Sequence, residues 1–104
     1  MQYNQLVRNR VPEIIAAEGK HPETQQMTPE AFAIALAHKL SEGVAEYQSG
    51  PSPDGLVDIL EVIYAIAQEK YSLSPDELEK LRAQKVVDRG SFSDRTLLIE
   101  PDAA

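Results

Sequence analysis

The sequence contains no cysteine. Disulfides, zinc–thiolate sites and thiol nucleophiles are therefore excluded. No apolar run approaches the roughly 18 residues that a membrane helix needs. The opening residues, Met1 to Arg8, hold no apolar signal core. A soluble cytoplasmic protein with no membrane partner is the expectation. Basic residues are also scarce, with ten Lys and Arg against seventeen Asp and Glu, a net charge of −7. No basic stripe offsets that field, so a nucleic-acid polymer is repelled rather than bound. An acidic protein that handles phosphates usually does so through a metal ion. The 104 residues suit one domain spanning 1–104, with a thin core. Helical proteins of this size often complete such a core with a second copy, which makes a homodimer the expected state.

What the sequence does contain is regular punctuation. Pro12-Glu13, Pro29-Glu30, Pro53-Asp54 and Pro75-Asp76 each pair a proline with an acid. Proline suits the first helical position, and an acid suits the positive helix N-terminus. Thr28, Ser52 and Ser74 precede three of the pairs as caps, and Glu77 lies three residues after Ser74, a capping-box pattern. Gly19, Gly50 and Gly90 stand where left-handed helix ends are expected. The prediction is four helices, over about 11–18, 29–48, 53–70 and 75–89. Residues 20–27 read as a loop. The tail from about 91 to 104 reads as an extended segment that docks through Phe92 and Leu97-Leu98-Ile99. Gly43 and Gly55 fall inside the second and third helices, where each costs about 1 kcal/mol relative to alanine.

The second helix carries an apolar stripe at Phe32, Leu36, Leu40, Val44 and Tyr47. The third carries Leu56, Leu60, Ile63 and Ala67, with Ile59 and Ile66 beside them. Both have the spacing of core-facing helices. The short connection between them predicts antiparallel packing. Acids are ordered too: Glu42 and Glu46 share one face, with His38 a turn earlier, and Asp54, Asp58 and Glu61 form a second stripe. Facing carboxylates of this kind suit Mg²⁺ or Mn²⁺, which prefer oxygen ligands. The plain alternative is that the acids are solvated surface and His38 an ordinary histidine. For phosphate contacts, Arg8, Arg10, Lys39, Lys85, Arg89 and Arg95 are the candidate cations, the alternative being solubility or ion pairing. Arg89 and Arg95 flank Gly90 and Phe92, so that segment is a candidate lid.

Four segments, in order, carry a resemblance. They are Tyr3 to Ile15, Lys39-Leu40-Ser41-Glu42-Gly43-Val44-Ala45-Glu46-Tyr47, Asp54-Gly55-Leu56-Val57-Asp58-Ile59-Leu60-Glu61-Val62, and Lys85 to Arg95 with Arg89-Gly90-Ser91-Phe92. Over about residues 3–100 the chain resembles the MazG-like all-α nucleoside triphosphate pyrophosphatases, in their compact phosphoribosyl-ATP pyrophosphohydrolase-like branch. The resemblance implies a helical bundle built on a central antiparallel hairpin, completed by a homodimer or homotetramer. It implies hydrolysis of a nucleoside triphosphate to the monophosphate and pyrophosphate with Mg²⁺ (or Mn²⁺), a house-cleaning reaction on noncanonical nucleotides being one expected role.

The family's four metal ligands map onto Gly43, Glu46, Gly55 and Asp58, so only Glu46 and Asp58 remain. Glu42 and Glu61 are the nearest substitutes as metal and catalytic carboxylates, with Asp54 a further neighbour. Three readings follow. One is a pyrophosphohydrolase with a weakened site. Another is a catalytically inactive nucleotide-binding or dimeric scaffold protein. The last is a plain protein–protein module without nucleotide affinity. For the two glycines the alternative is close approach of helices, which small residues permit.

Overall fold

A computed structural model describes residues 4–100. Tyr3 of the first motif and residues 101–104 of the expected tail lie outside the described residues. Four helices follow in order: α1 Val11–Ala17, α2 Pro29–Ser49, α3 Pro53–Tyr71 and α4 Pro75–Arg89. No strand occurs among the described residues, and the class is all-α. No described helix is long and apolar enough to cross a membrane.

The caps explain where α2, α3 and α4 begin. The Thr28 hydroxyl accepts from the Ala31 N–H at 3.2 Å, and the Ser52 hydroxyl from the Gly55 N–H at 3.0 Å. At α4 the box is complete, because Glu77 N–H donates to Ser74 Oγ at 3.2 Å and Ser74 N–H donates to Glu77 Oε1 at 2.9 Å. The backbone N–H of Ser74, then its hydroxyl, hold the Glu77 carboxyl below the ordinary glutamate value. A depressed folded-state value means this contribution is present above the unfolded pKa and is lost as pH falls through the folded one. Ser74→Ala is expected to lower stability by about 1 kcal/mol at neutral pH, read as a reduced urea midpoint. An unchanged midpoint would show that α4 starts without this cap.

The ends correct part of the sequence reading. Gly19 and Gly90 take positive φ, +87° and +85°. Gly50 does not, with φ −149°. It precedes Pro51, and a residue before proline is driven toward extended backbone. α3 closes without glycine: Ser72 itself adopts the left-handed conformation, φ 54° and ψ 36°. Its N–H donates to the Gln68 carbonyl, and the Leu73 N–H to the Ala67 carbonyl, both at 3.1 Å, in the pattern of a Schellman closure.

α2 and α3 form the main helix contact, and α4 packs on α3. A Cβ at Gly43 would face Ile59, and one at Gly55 would face Tyr47. Numbers rise along one helix as they fall along the other, so α2 and α3 run antiparallel. Among the described residues only Leu36, 3% exposed, and Ala67, 6% exposed, are fully buried hydrophobics. The expected core stripe is therefore covered only in part, because Val44, Leu56, Leu60 and Ile63 remain exposed on the single chain. The global numbers agree. The radius of gyration is 18.3 Å, against about 13 Å for a compact domain of this length. The accessible surface is 9434 Å², against roughly 5,800 Å² for a compact monomer of this mass.

Candidate functional site

The segment before α1 lies across the hairpin and, among the described residues, touches nominated residues on both α2 and α3. Arg8 Nη2 donates to Asp58 Oδ1 at 2.7 Å. Lys39 Nζ donates to Gln5 Oε1 at 3.2 Å and stands 3.8 Å from Glu42 Oε2. Ala35, His38, Lys39 and Glu42 share one face of α2, since they fall at i, i+3, i+4 and i+7. With Asn4, Gln5 and Leu6 they line a cleft of about 200 Å³. Arg8 and Asp58 form one ion pair between the N-terminal segment and α3, and Lys39 and Glu42 form another within α2. Both pairs are open to water, with Arg8 and Asp58 at 52% and 54% exposure. Such pairs are worth at most about 1 kcal/mol. A ligand carrying phosphate charge can compete for them.

The other nominated residues lie elsewhere. Arg10 Nε pairs with Glu13 Oε1 at 2.7 Å across the first turn of α1. Glu46, Glu61, Lys85 and Arg89 are exposed and make no ion pair among the described residues. Arg95 sits in a turn at φ +58°, its N–H donating to the Phe92 carbonyl at 3.1 Å. Asn4, Gln5 and His38 complete the cleft. His38 carried a signal in its spacing from Glu42, whereas Asn4 and Gln5 are placed by tertiary packing.

A hard divalent cation needs several oxygen donors converging on one point. Glu42, Glu46, Asp58 and Glu61 have the right chemistry. Yet among the described residues no group of three or more His, Asp or Glu side chains converges to hold a metal. Asp58 already accepts from a guanidinium. Among the described residues, the carboxylates of one chain do not by themselves gather into a Mg²⁺ site.

The two glycines are explained by their surroundings. A Cβ at Gly43 would lie 3.2 Å from Ile59 Cγ1, so this glycine permits a close approach of α3. Gly55 is not in the middle of a helix: it is the third residue of α3, and its N–H serves the Ser52 cap. A Cβ there would meet Tyr47 Cδ1 at 3.4 Å and Ser52 Oγ at 3.5 Å, ordinary contacts.

No family model matches the chain, and no solved structure does. The chain is similar to a protein of Mycolicibacterium smegmatis (strain ATCC 700084 / mc(2)155) described as uncharacterized, with 37% identity over 54 residues. The match covers 52% of this chain and 55% of that protein, so about half of each is compared.

Proposed function

We propose that the chain is a nucleotide-binding protein of MazG-like all-α architecture, dimeric and cytoplasmic, that does not hydrolyse its ligand by the metal route. The observation that carries this reading is the use made of positions 43 and 55. Position 43 abuts Ile59, and position 55 abuts Tyr47 and the Ser52 cap, where a pyrophosphatase of this type would place two carboxylates. Lys39 lines the cleft, and Arg8, on the same N-terminal segment as the cleft residues Asn4 to Leu6, is half-exposed; both are cations for phosphate oxygens. Each would exchange a carboxylate partner for the ligand. The exposed residues Val44, Leu56, Leu60 and Ile63 support a dimer in which hairpins from two chains share one core.

Calorimetry with ATP and GTP, with and without Mg²⁺, tests the reading. Binding without pyrophosphate release is the expected result. Replacing Arg8 and Lys39 together by alanine should weaken that binding by roughly tenfold or more, equivalent to about 1.4 kcal/mol or more. Undetectable binding of both nucleotides at millimolar concentration would overturn the nucleotide assignment.

The second reading is a weakened, Mg²⁺- or Mn²⁺-dependent pyrophosphohydrolase. It is favoured by the exposure of Glu46 and Glu61, which carry no ion pair among the described residues and stay open to a metal. Pyrophosphate release that requires Mg²⁺, and that disappears in Glu46→Gln, would establish it instead.

A further inference from the structure

We propose that the segment Phe92–Ile99 of one copy docks as an exchanged arm in an apolar groove of a second copy. The proposal rests on the dimer inferred above and adds the element that clasps it. The segment has no helix or strand and holds its large side chains in solvent. Phe92 is 98% exposed and Ile99 89%, with Leu97 and Leu98 between 75% and 83%. Four such side chains within eight residues are unfavourable in water, because removing large apolar side chains from water is favourable. The same chain offers a matching receptor. A groove of about 240 Å³ runs between the end of α3, the start of α4 and the middle of α2, and its exposed lining is wholly apolar. Leu40, Ile63, Ile66, Tyr71, Leu73 and Leu78 line it.

A second copy is the occupant that accounts for both features. The surface in excess of a compact monomer is roughly 3,600 Å², from 9434 Å² less the roughly 5,800 Å² expected. A stable interface removes about 800 Å² from each partner. One arm folded onto its own groove would leave Val44, Leu56 and Leu60 bare. Ile63 belongs both to that exposed stripe and to the groove, so the two form one surface. Gly90 fixes the arm's exit with φ +85° and ψ −177°, a backbone state essentially restricted to glycine. Reciprocal exchange of two arms closes the assembly as a two-fold dimer and leaves no open end for further growth.

The absence of native cysteine makes the test clean, because introduced thiols are the only ones present. Leu98→Cys and Tyr71→Cys proteins are refolded together and oxidised, and the products are compared with those of each variant alone. Both positions are exposed, at 75% and 65%, so neither change disturbs the core. The expected result is a mixed disulfide dimer, at least roughly tenfold above either variant alone. A Leu98→Cys, Tyr71→Cys double variant that closes only within its own chain would overturn the exchange. Absence of any cross-link, with a dimer still seen by sedimentation of the parent chain, would overturn the arm and leave the dimer standing. A parent chain that sediments as a monomer at all concentrations would remove both. Nucleotide calorimetry is independent of every one of these outcomes.

Discussion

Glutamate introduced at position 43 is expected to destabilise the hairpin, whereas glutamate at position 55 is expected to stabilise it. Spacing makes the two glycines look alike, but their surroundings separate them. At Gly43 even a Cβ would stand 3.2 Å from Ile59 Cγ1, and a glutamate would push four further heavy atoms, with a charge, toward the α2–α3 contact. Overpacking of this kind costs about 1–3 kcal/mol, and a partly buried carboxylate adds to it. The helix-propensity gain over glycine, below about 1 kcal/mol, does not offset that. A net loss of about 2 kcal/mol is expected, seen as a lower urea midpoint. A midpoint equal to the parent's would show that Ile59 yields freely, and the packing account of Gly43 would then fail.

Gly55 is different because of where its helix begins. α3 opens Ser52-Pro53-Asp54-Gly55, and α4 opens Ser74-Pro75-Asp76-Glu77 with a complete capping box. The two starts differ only at the third helical residue. Gly55→Glu gives α3 the residue that reaches back to the cap N–H, places a negative charge at the positive end of the helix, and removes a glycine. A gain of about 1 kcal/mol is expected from the same denaturation measurement, and a loss would count against the cap comparison. These outcomes also sharpen the catalytic question. Restoring both carboxylates requires room at position 43, so Gly43→Glu and Gly55→Glu should be combined with Ile59→Ala. Mg²⁺-dependent pyrophosphate release in that triple variant, absent from the parent, would assign the missing activity to these two positions.

Local chemistry made the helices legible. The Pro-acid pairs and the residues before them place α2, α3 and α4 at their observed starts, because capping depends on neighbours three residues apart. Helix ends were less legible. Gly50 is governed by Pro51, and Ser72 takes a left-handed conformation that composition assigns to glycine. The candidate site was legible in its members but not in its pairings. Arg8 and Asp58 are fifty positions apart, and periodicity does not show that one answers the other. Reading Arg8 as a phosphate contact and Asp58 as a metal ligand treated as independent two charges that the fold joins. The apolar stripes were legible as stripes. What covers them was not, because a 3–4 repeat marks a face to be buried without naming the surface that buries it.

That distinction sets the other large expected effect: the chain's stability depends on its concentration. Two buried hydrophobics are a small core for 97 described residues, and most of the α3 stripe must find cover elsewhere. If folding and pairing are coupled, each tenfold dilution removes about 1.4 kcal/mol from the dimer. With an unfolding entropy of about 2.1 cal/mol/K per residue, two chains lose about 3 °C of Tm per tenfold dilution. Leu60→Glu isolates the cause. Leu60 is 44% exposed on the single chain, so the substitution has little effect on an isolated helix pair. Across a shared core it buries an unpaired carboxylate, which is expensive unless a partner compensates. The variant is therefore expected to sediment as a monomer, with a lower Tm that no longer shifts on dilution. A parent Tm that is constant over about a hundredfold dilution, where about 6 °C is expected, would mean that one chain suffices. A Leu60→Glu variant with the parent's sedimentation would move the pairing surface off the α3 stripe.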